Sequence, residues 1–249
     1  MKYLVKLVLV LVLFFAQIEI ASAGDGLSAA QILGRADRSR GHLDGIVWTA
    51  VITSREEGKA RERSLILKNR GLNTVAEFTR PAKVKGNLLV MLDRNMWFVK
   101  PGLRKPVAIS PRQKLMGGVA NGDIASTNYA GDYDATAAGE EAVDGELCYV
   151  FELKANNKKT TYDRIRYWIS KQRLLGMRAE FYTVAGKRFK TATMRYDNRL
   201  RTKTGDLAFI SQMTIYDEVI KGNVTTMAYR DPEIRTLPDA VFNLNLMIR

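Results

Sequence analysis

Hydrophobic and polar positions divide this chain into one apolar block, one amphipathic helix and a long series of alternating segments. The block is 4–15, almost unbroken Leu, Val and Phe. The helix follows. Ser28 and Gln31 form an S-x-x-Q capping box, and Leu27 and Ile32 take the two staple positions. Ile32, Leu33 and Ala36 make a narrow apolar stripe that must lie on something apolar, while Arg35, Asp37 and Arg38 are expected to face water. From residue 45 the period becomes that of strands. Residues 45–53 are rich in Ile, Val, Trp and Thr. A polar turn, Glu56-Glu57-Gly58-Lys59, leads into 61–70, with Leu65 and Leu67 on one face. Segments 74–79, 87–93 and 96–100 continue the series, broken at Pro81, Arg94-Asn95 and Pro101-Gly102.

A second helix is predicted at 110–116, with Ser110 at the N-cap, Pro111 at N1, Gln113 at N3 and Gly117-Gly118 ending it. The next stretch, through Asn121-Gly122-Asp123 and Gly131-Asp132-Tyr133-Asp134, reads as irregular and polar. Strands resume at 138–143 and 147–155, joined by Asp144-Gly145, a type I′ hairpin signal. Segments 161–170, 176–184, 188–196, 209–217 and 224–229 complete the set. Ala185-Gly186-Lys187 makes a tight turn, and Pro238-Asp239 opens a short terminal one. Turns recur roughly every 8–12 residues, which suits antiparallel pairing rather than βαβ units. The expectation is one mainly β domain over 24–249. About eleven antiparallel strands curl into an incomplete barrel, with short helices over the concave face. Such a sheet cannot cover its own hollow, so large side chains or a ligand must fill it.

Composition narrows the chemistry. Lys2 and Lys6 at the start of the chain, the apolar block, and Ala21-Ser22-Ala23 after it lay out a secretory signal peptide over 1–23. Its loss removes two lysines and one glutamate and takes the net charge from +13 to +12. The basic residues are scattered, and export separates the chain from nucleic acid. Anionic lipid headgroups or an acidic protein are the better-matched partners. Cys148 is the only cysteine, so there is no internal disulfide, and its apolar setting reads as a buried small hydrophobe. His42 is the only histidine. A Ser-His-Asp or Cys-His hydrolase would have to use it, and the usual zinc sites are excluded. Asp123, Asp132 and Asp134 read as turn formers rather than ligands of a hard cation. No P-loop and no G-x-S-x-G is present. No enzymatic activity, metal or cofactor is expected.

The most specific block is Ser110-Pro111-Arg112-Gln113-Lys114-Leu115-Met116-Gly117-Gly118, followed by Asn121-Gly122-Asp123, Asn128-Tyr129 and Asp132-Tyr133. Residues 145–155, Ala185-Gly186-Lys187 with Lys190, and Leu237-Pro238-Asp239 with Phe242 are further landmarks. In these the chain resembles the LolA-like outer membrane lipoprotein-sorting proteins of Gram-negative bacteria, in a branch distant from classical LolA. The resemblance implies a LolA/LolB-like incomplete barrel around a hydrophobic cavity. It also implies a soluble periplasmic carrier of lipid or lipoprotein acyl chains that touches membranes transiently. Some such carriers work between an inner-membrane RND-type (MMPL) exporter and an outer-membrane acceptor. Acyl chains need a dry hollow, where each sheltered methylene gains about 0.8 kcal/mol, and a mobile cover. Trp48, Leu65, Leu67, Phe78, Val90, Leu92, Trp97, Leu115 and Met116 are the expected cavity lining. Pro111, Leu115, Met116, Gly117 and Gly118 are the expected lid. With Gly24 at the cleavage point the mature chain would carry no lipid anchor. An envelope sensor or interaction module of the same fold is the alternative.

Overall fold

The computed structural model describes residues 26–125, 127–203 and 205–248, so the expected signal peptide lies outside the described residues. Helix α1 (Ala29–Arg38) starts where the capping box places it. Ser28 Oγ accepts from the Gln31 amide, and Gln31 Oε1 accepts from the Ser28 amide. Six strands follow as a meander: β1 (Asp44–Glu56), β2 (Lys59–Arg70), β3 (Asn73–Arg80), β4 (Leu88–Leu92), β5 (Asn95–Val99) and β6 (Val107–Ile109). A small separate hairpin, β7 (Lys114–Met116) and β8 (Val119–Ala120), precedes two one-turn helices, α2 (Asn121–Ala125) and α3 (Tyr129–Asp132). The second run comprises β9 (Tyr133–Val143), β10 (Glu146–Ala155), β11 (Arg164–Ser170), β12 (Gly176–Tyr182) and β13 (Arg188–Arg195). A side hairpin, β14 (Asn198–Thr202) and β15 (Gly205–Phe209), interrupts it before β16 (Gln212–Asp217) and β17 (Val224–Ile234).

Thirteen strands form one antiparallel sheet in the order β6-β5-β4-β3-β2-β1-β17-β16-β13-β12-β11-β10-β9. It does not close: β6 and β9 are free edges. Strands from both ends nonetheless contribute to one core, from Leu65 and Phe78 in the first wing to Tyr167 and Phe181 in the second. A sheet this wide brings those residues together only by curling. The connection from β6 to β9, residues 110–132, runs across the concave side. Met116, Val119, Ile124 and Tyr129 from this connector enter the main core. The side hairpin closes another part of the hollow. Phe209 meets Trp48 edge-on at 5.9 Å, and the Ile210 amide donates to Ser39 O at 2.9 Å. On the outer face a second cluster joins Val75, Val90 and Val99 to the terminal Leu237 and Phe242. Arg70 ties that tail down by donating to Leu237 O at 2.8 Å and stacking over the Phe242 ring.

Three expectations change. The helix predicted at 110–116 is a turn followed by β7. The local capping bonds do form: Gln113 Oε1 accepts from the Ser110 amide, and Ser110 Oγ accepts from the Arg112 amide. The carbonyls that should continue the helix go elsewhere, Pro111 O to the Gly122 amide and Gln113 O to the Asn121 amide. Tertiary pairing has overridden a local start signal. The stretch 121–132, read as irregular, contains α2 and α3 instead. Asp37, read as solvent-facing, is fully buried because α3 packs on α1, and its Oδ2 accepts the Ala130 amide at 2.8 Å.

That burial has a titration consequence. Loss of solvent pushes the Asp37 carboxyl up to about 6, against the opposing pull of the Ala130 amide and the Arg40 charge. The folded state therefore binds the proton more tightly than the unfolded chain. Asp37 favours folding most at low pH, and that advantage is lost as pH rises toward 6 and beyond. Between pH 7 and pH 5 the wild type should gain about 1 kcal/mol that Asp37→Asn lacks, measured as the difference in urea-unfolding free energy at the two pH values.

Candidate functional site

The connector meets the sheet through polar atoms. Lys190 points inward from β13, and its Nζ donates to Gly118 O at 2.9 Å and pairs with Asp123 Oδ2 of α2 at 3.0 Å. Tyr162, from the β10–β11 loop, donates its hydroxyl to the same carboxylate at 2.7 Å. The Ala120 amide adds a further bond to Asp123 Oδ2 at 2.8 Å. Lys190 Nζ also sits 4.4 Å above the Tyr162 ring and 4.9 Å above the Phe181 ring. All of these side chains are buried. Burial pulls the Lys190 ammonium below the usual lysine range, and the Asp123 carboxylate opposes that shift. A charged pair away from water persists when each member finds several partners, and here each does.

The glycines between β7 and β8 allow the close approach. Gly117 has φ +57°, and a Cβ there would lie 2.1 Å from Thr225 Oγ1 and 2.6 Å from Ser54 Cβ. A Cβ on Gly118 would lie 2.7 Å from Ile215 Cγ2. Gly118 N also donates to Thr225 Oγ1 at 2.8 Å. The hairpin tip thus lies flat on β1, β16 and β17. A second anchor holds the other end of α2: Thr74 Oγ1 of β3 donates to Ala125 O at 2.9 Å and accepts from Asn69 at 2.8 Å.

Beside this latch is a predominantly apolar cavity of about 740 Å³. Gly117, Gly118, Val119 and Ala120 of the connector form one wall, with Tyr162, Phe189 and Lys190 against them. The β12–β13 turn, with Val184 and Ala185, and the β16–β17 turn, with Val219 and Ile220, complete its lining at the exposed end. The volume is that of a small-molecule or single-chain pocket. Its lining supplies apolar burial at no charge cost except at Lys114, Lys190, Asp217 and the Arg112–Asp163 pair, which stands at one side with 2.9 Å between charges.

The residues expected to line a cavity lie elsewhere. Trp48, Leu65, Leu67, Phe78 and Met116 are buried members of the main core, and Leu115 packs against it half-buried. They fill the hollow. Val90 and Leu92 belong to the outer cluster with the C-terminal tail, and Trp97 is opposite Val90 across the β4–β5 ladder, on that same outer face. Strand β4 is apolar at every position, Leu88 to Leu92, so alternation cannot say which face is inside. None of these nine borders the 740 Å³ cavity; Leu115 and Met116 border a separate, polar cleft with Glu56, Arg61 and Arg63. Of the expected lid residues, Gly117 and Gly118 do line the cavity, and Pro111 lies outside it. The residues missed were Tyr162, Phe189, Val184, Val219 and Ile220. A signal existed for the last two: an apolar pair inside a turn whose other positions are charged or glycine.

His42 is half-buried and its pKa is lowered by that burial, with Asp132 opposing. Cys148 is buried, which pushes its thiol up. Among the described residues no group of three or more His, Cys, Asp or Glu side chains is placed to hold a metal. Among them also, no helix is long and apolar enough to cross a membrane.

A protein-family model described as "Uncharacterized protein" matches residues 71–249. A LolA superfamily protein from Nitrosomonas europaea superposes with a TM-score of 0.79 at 30% identity, covering 87% of this chain and 98% of that one. The chain belongs to the LolA superfamily. Two further structures share the LolA-like fold. A DUF1329 family protein from Desulfovibrio piger has a TM-score of 0.72 at 23% identity, covering 86% of this chain and 95% of its own. An outer membrane lipoprotein-sorting protein domain from Vibrio parahaemolyticus has a TM-score of 0.73 at 20% identity, covering 88% and 98%. No curated protein matches the chain. In this LolA-superfamily sheet the barrel is open, and the connector between its two edges carries the residues expected to form a lid.

The latch makes a direct prediction. Lys190→Ala leaves Asp123 charged and short of its main partner in a dry setting, and should cost roughly 3–5 kcal/mol in urea unfolding. The double variant Lys190→Met with Asp123→Asn should recover most of that loss. If the double variant is as unstable as the single one, the pair is not what couples the connector to the sheet.

Proposed function

We propose that this protein is a non-catalytic carrier that shelters a lipid or lipoprotein acyl chain in the apolar cavity beside the β7–β8 hairpin and moves it through the cell envelope. The observation that carries the reading is the cavity itself: about 740 Å³, predominantly apolar, opening between two turns and walled by a connector held down through one buried ion pair. The walls suit burial better than bond-breaking chemistry. Each methylene sheltered there gains about 0.8 kcal/mol, so an acyl chain is retained without covalent attachment. The central hollow, filled by Trp48, Leu65, Leu67 and Phe78, serves as scaffold in this reading, and cargo begins at the cavity rather than at the barrel centre.

Export by residues 1–23 and periplasmic shuttling between an inner-membrane donor and an outer-membrane acceptor belong to the same proposal. The Vibrio parahaemolyticus domain of this fold, described by its lipoprotein-sorting role, supports it by analogy.

The test is titration with a fluorescent long-chain fatty acid. The wild type should bind it. Phe189→Glu, which sets a carboxylate in the half-buried cavity wall, should weaken binding about tenfold or more while leaving the far-UV circular dichroism unchanged. Absence of binding by the wild type, or full binding by the folded Phe189→Glu variant, would overturn the proposal.

A further inference from the structure

The two most exposed large hydrophobic side chains among the described residues are Val184, at 73%, and Val219, at 62%. They stand with Ile220, at 51%, on neighbouring turns that line the same cavity. Scattered exposed hydrophobics need no explanation, but a group of three on turn tips beside an apolar cavity does.

Much of the backbone around these tips is satisfied within the turns. Asp217 Oδ1 accepts from both the Val219 and Ile220 amides at 2.8 Å. In the other turn the Gly186 amide donates to Thr183 O, the Thr183 amide to Lys187 O, and the Lys187 amide to Thr183 Oγ1. The amides so engaged need no water, and those left over at the tips can keep theirs in a hydrated headgroup layer.

The charges around the tips are sorted by sign. The acids have partners: Asp163 pairs with Arg112, Glu218 with Arg188 at 3.7 Å and with the Thr191 hydroxyl, and Asp217 holds its own turn. Lys187 and Lys221 flank the tips with no carboxylate partner among the described residues. Lys158 and Arg164 border an adjoining cleft that shares Val184, and they too lack one. Apolar tips within a ring of free positive charge match the boundary of an anionic bilayer, where acyl chains take the apolar groups and phosphates take the bases.

We infer that the end of the molecule bearing Val184, Val219 and Ile220 docks on an anionic bilayer surface, so that the cavity opens onto the lipid rather than onto water. The inference rests on the carrier reading for its purpose, but its physical basis is the surface alone.

The experiment is co-sedimentation of the full chain's product with vesicles of phosphatidylcholine, and with vesicles of phosphatidylcholine mixed with phosphatidylglycerol. The wild type should bind the mixed vesicles and bind the neutral ones far less. The triple variant Val184→Asp, Val219→Asp, Ile220→Asp should lose about tenfold or more of that binding, and Lys187→Glu with Lys221→Glu should lose it comparably. All five positions are exposed, so folding is preserved, and circular dichroism checks it. Failure of the wild type to bind mixed vesicles, or wild-type binding by the triple variant, overturns the docking surface. The fatty-acid titration, run without vesicles, separates this from the carrier reading. Vesicle binding that depends on the tips, without fatty-acid binding, sustains the docking surface and removes the carrier. Fatty-acid binding with no vesicle binding does the reverse.

Discussion

The arrangement of the concave side depends on one buried ion pair. Lys190 reaches inward from the middle of the sheet and meets Asp123 on the connector, with Gly118 O and the Tyr162 hydroxyl completing the contact. Such a pair adds little net stability over an apolar substitute, because both charges lose their water. What it adds is position. An ammonium buried between the Tyr162 and Phe181 rings has Asp123 as its bonded carboxylate, so sliding the connector along the sheet would break that pair in a dry setting. The flat seating of Gly117 and Gly118 on β1, β16 and β17, and the cavity wall they form, follow from that fixed register.

The open sheet needs such a crossing. A curled sheet with two free edges exposes unpaired backbone, and each edge here is managed differently. Strand β6 is only three residues long. Strand β9 carries acids that are already engaged, Glu140 with Lys171 and Glu141 with Arg166 and the Trp168 indole. Short edges and charged edges both discourage pairing with another chain. Because the chain passes from one edge to the other across the hollow, the segment that closes the core is also the one that could expose it.

Much of the fold was legible because it is written locally. The Ser28–Gln31 box starts α1, and Asp144-Gly145, both at positive φ, makes the β9–β10 turn as expected. Legibility failed where distant groups decide. Ser110 and Gln113 make their capping bonds, yet no helix follows, because the amides of Asn121 and Gly122 take the carbonyls it needs. Segment 209–217 breaks at Ile210 and Ser211, whose backbones are claimed by Ser39, Arg195 and Tyr229. The lining was misplaced for a related reason. Leu65 and Leu67 are inward as read, but inward positions near the centre are covered by α1, the connector and the β14–β15 hairpin. The cavity forms instead where three turns and a loop, far apart in sequence, converge at one end. No local pattern encodes that convergence.

A polar latch suits reversible opening better than an apolar seal would. A connector held by leucines would lose burial steadily as it lifted, and its own side chains would compete with cargo for the space beneath. At its tip this hairpin presents Gly117 and Gly118 to the sheet, so it places little hydrocarbon at that point, while Met116 and Val119 on either side are buried in the core. The buried charged part of its hold is Lys190 and Asp123, two groups that water solvates well once they separate. Lifting therefore costs most at the start, while the pair is parted but still dry, and less once hydration reaches both charges. Under the carrier reading the hairpin is then closed or open rather than partly ajar, and an acyl chain in the cavity bears on the Val119 and Ala120 side of the same hairpin. Cargo and latch thus share one structural element, which lets occupancy of the cavity bias the position of its cover without any longer path between them.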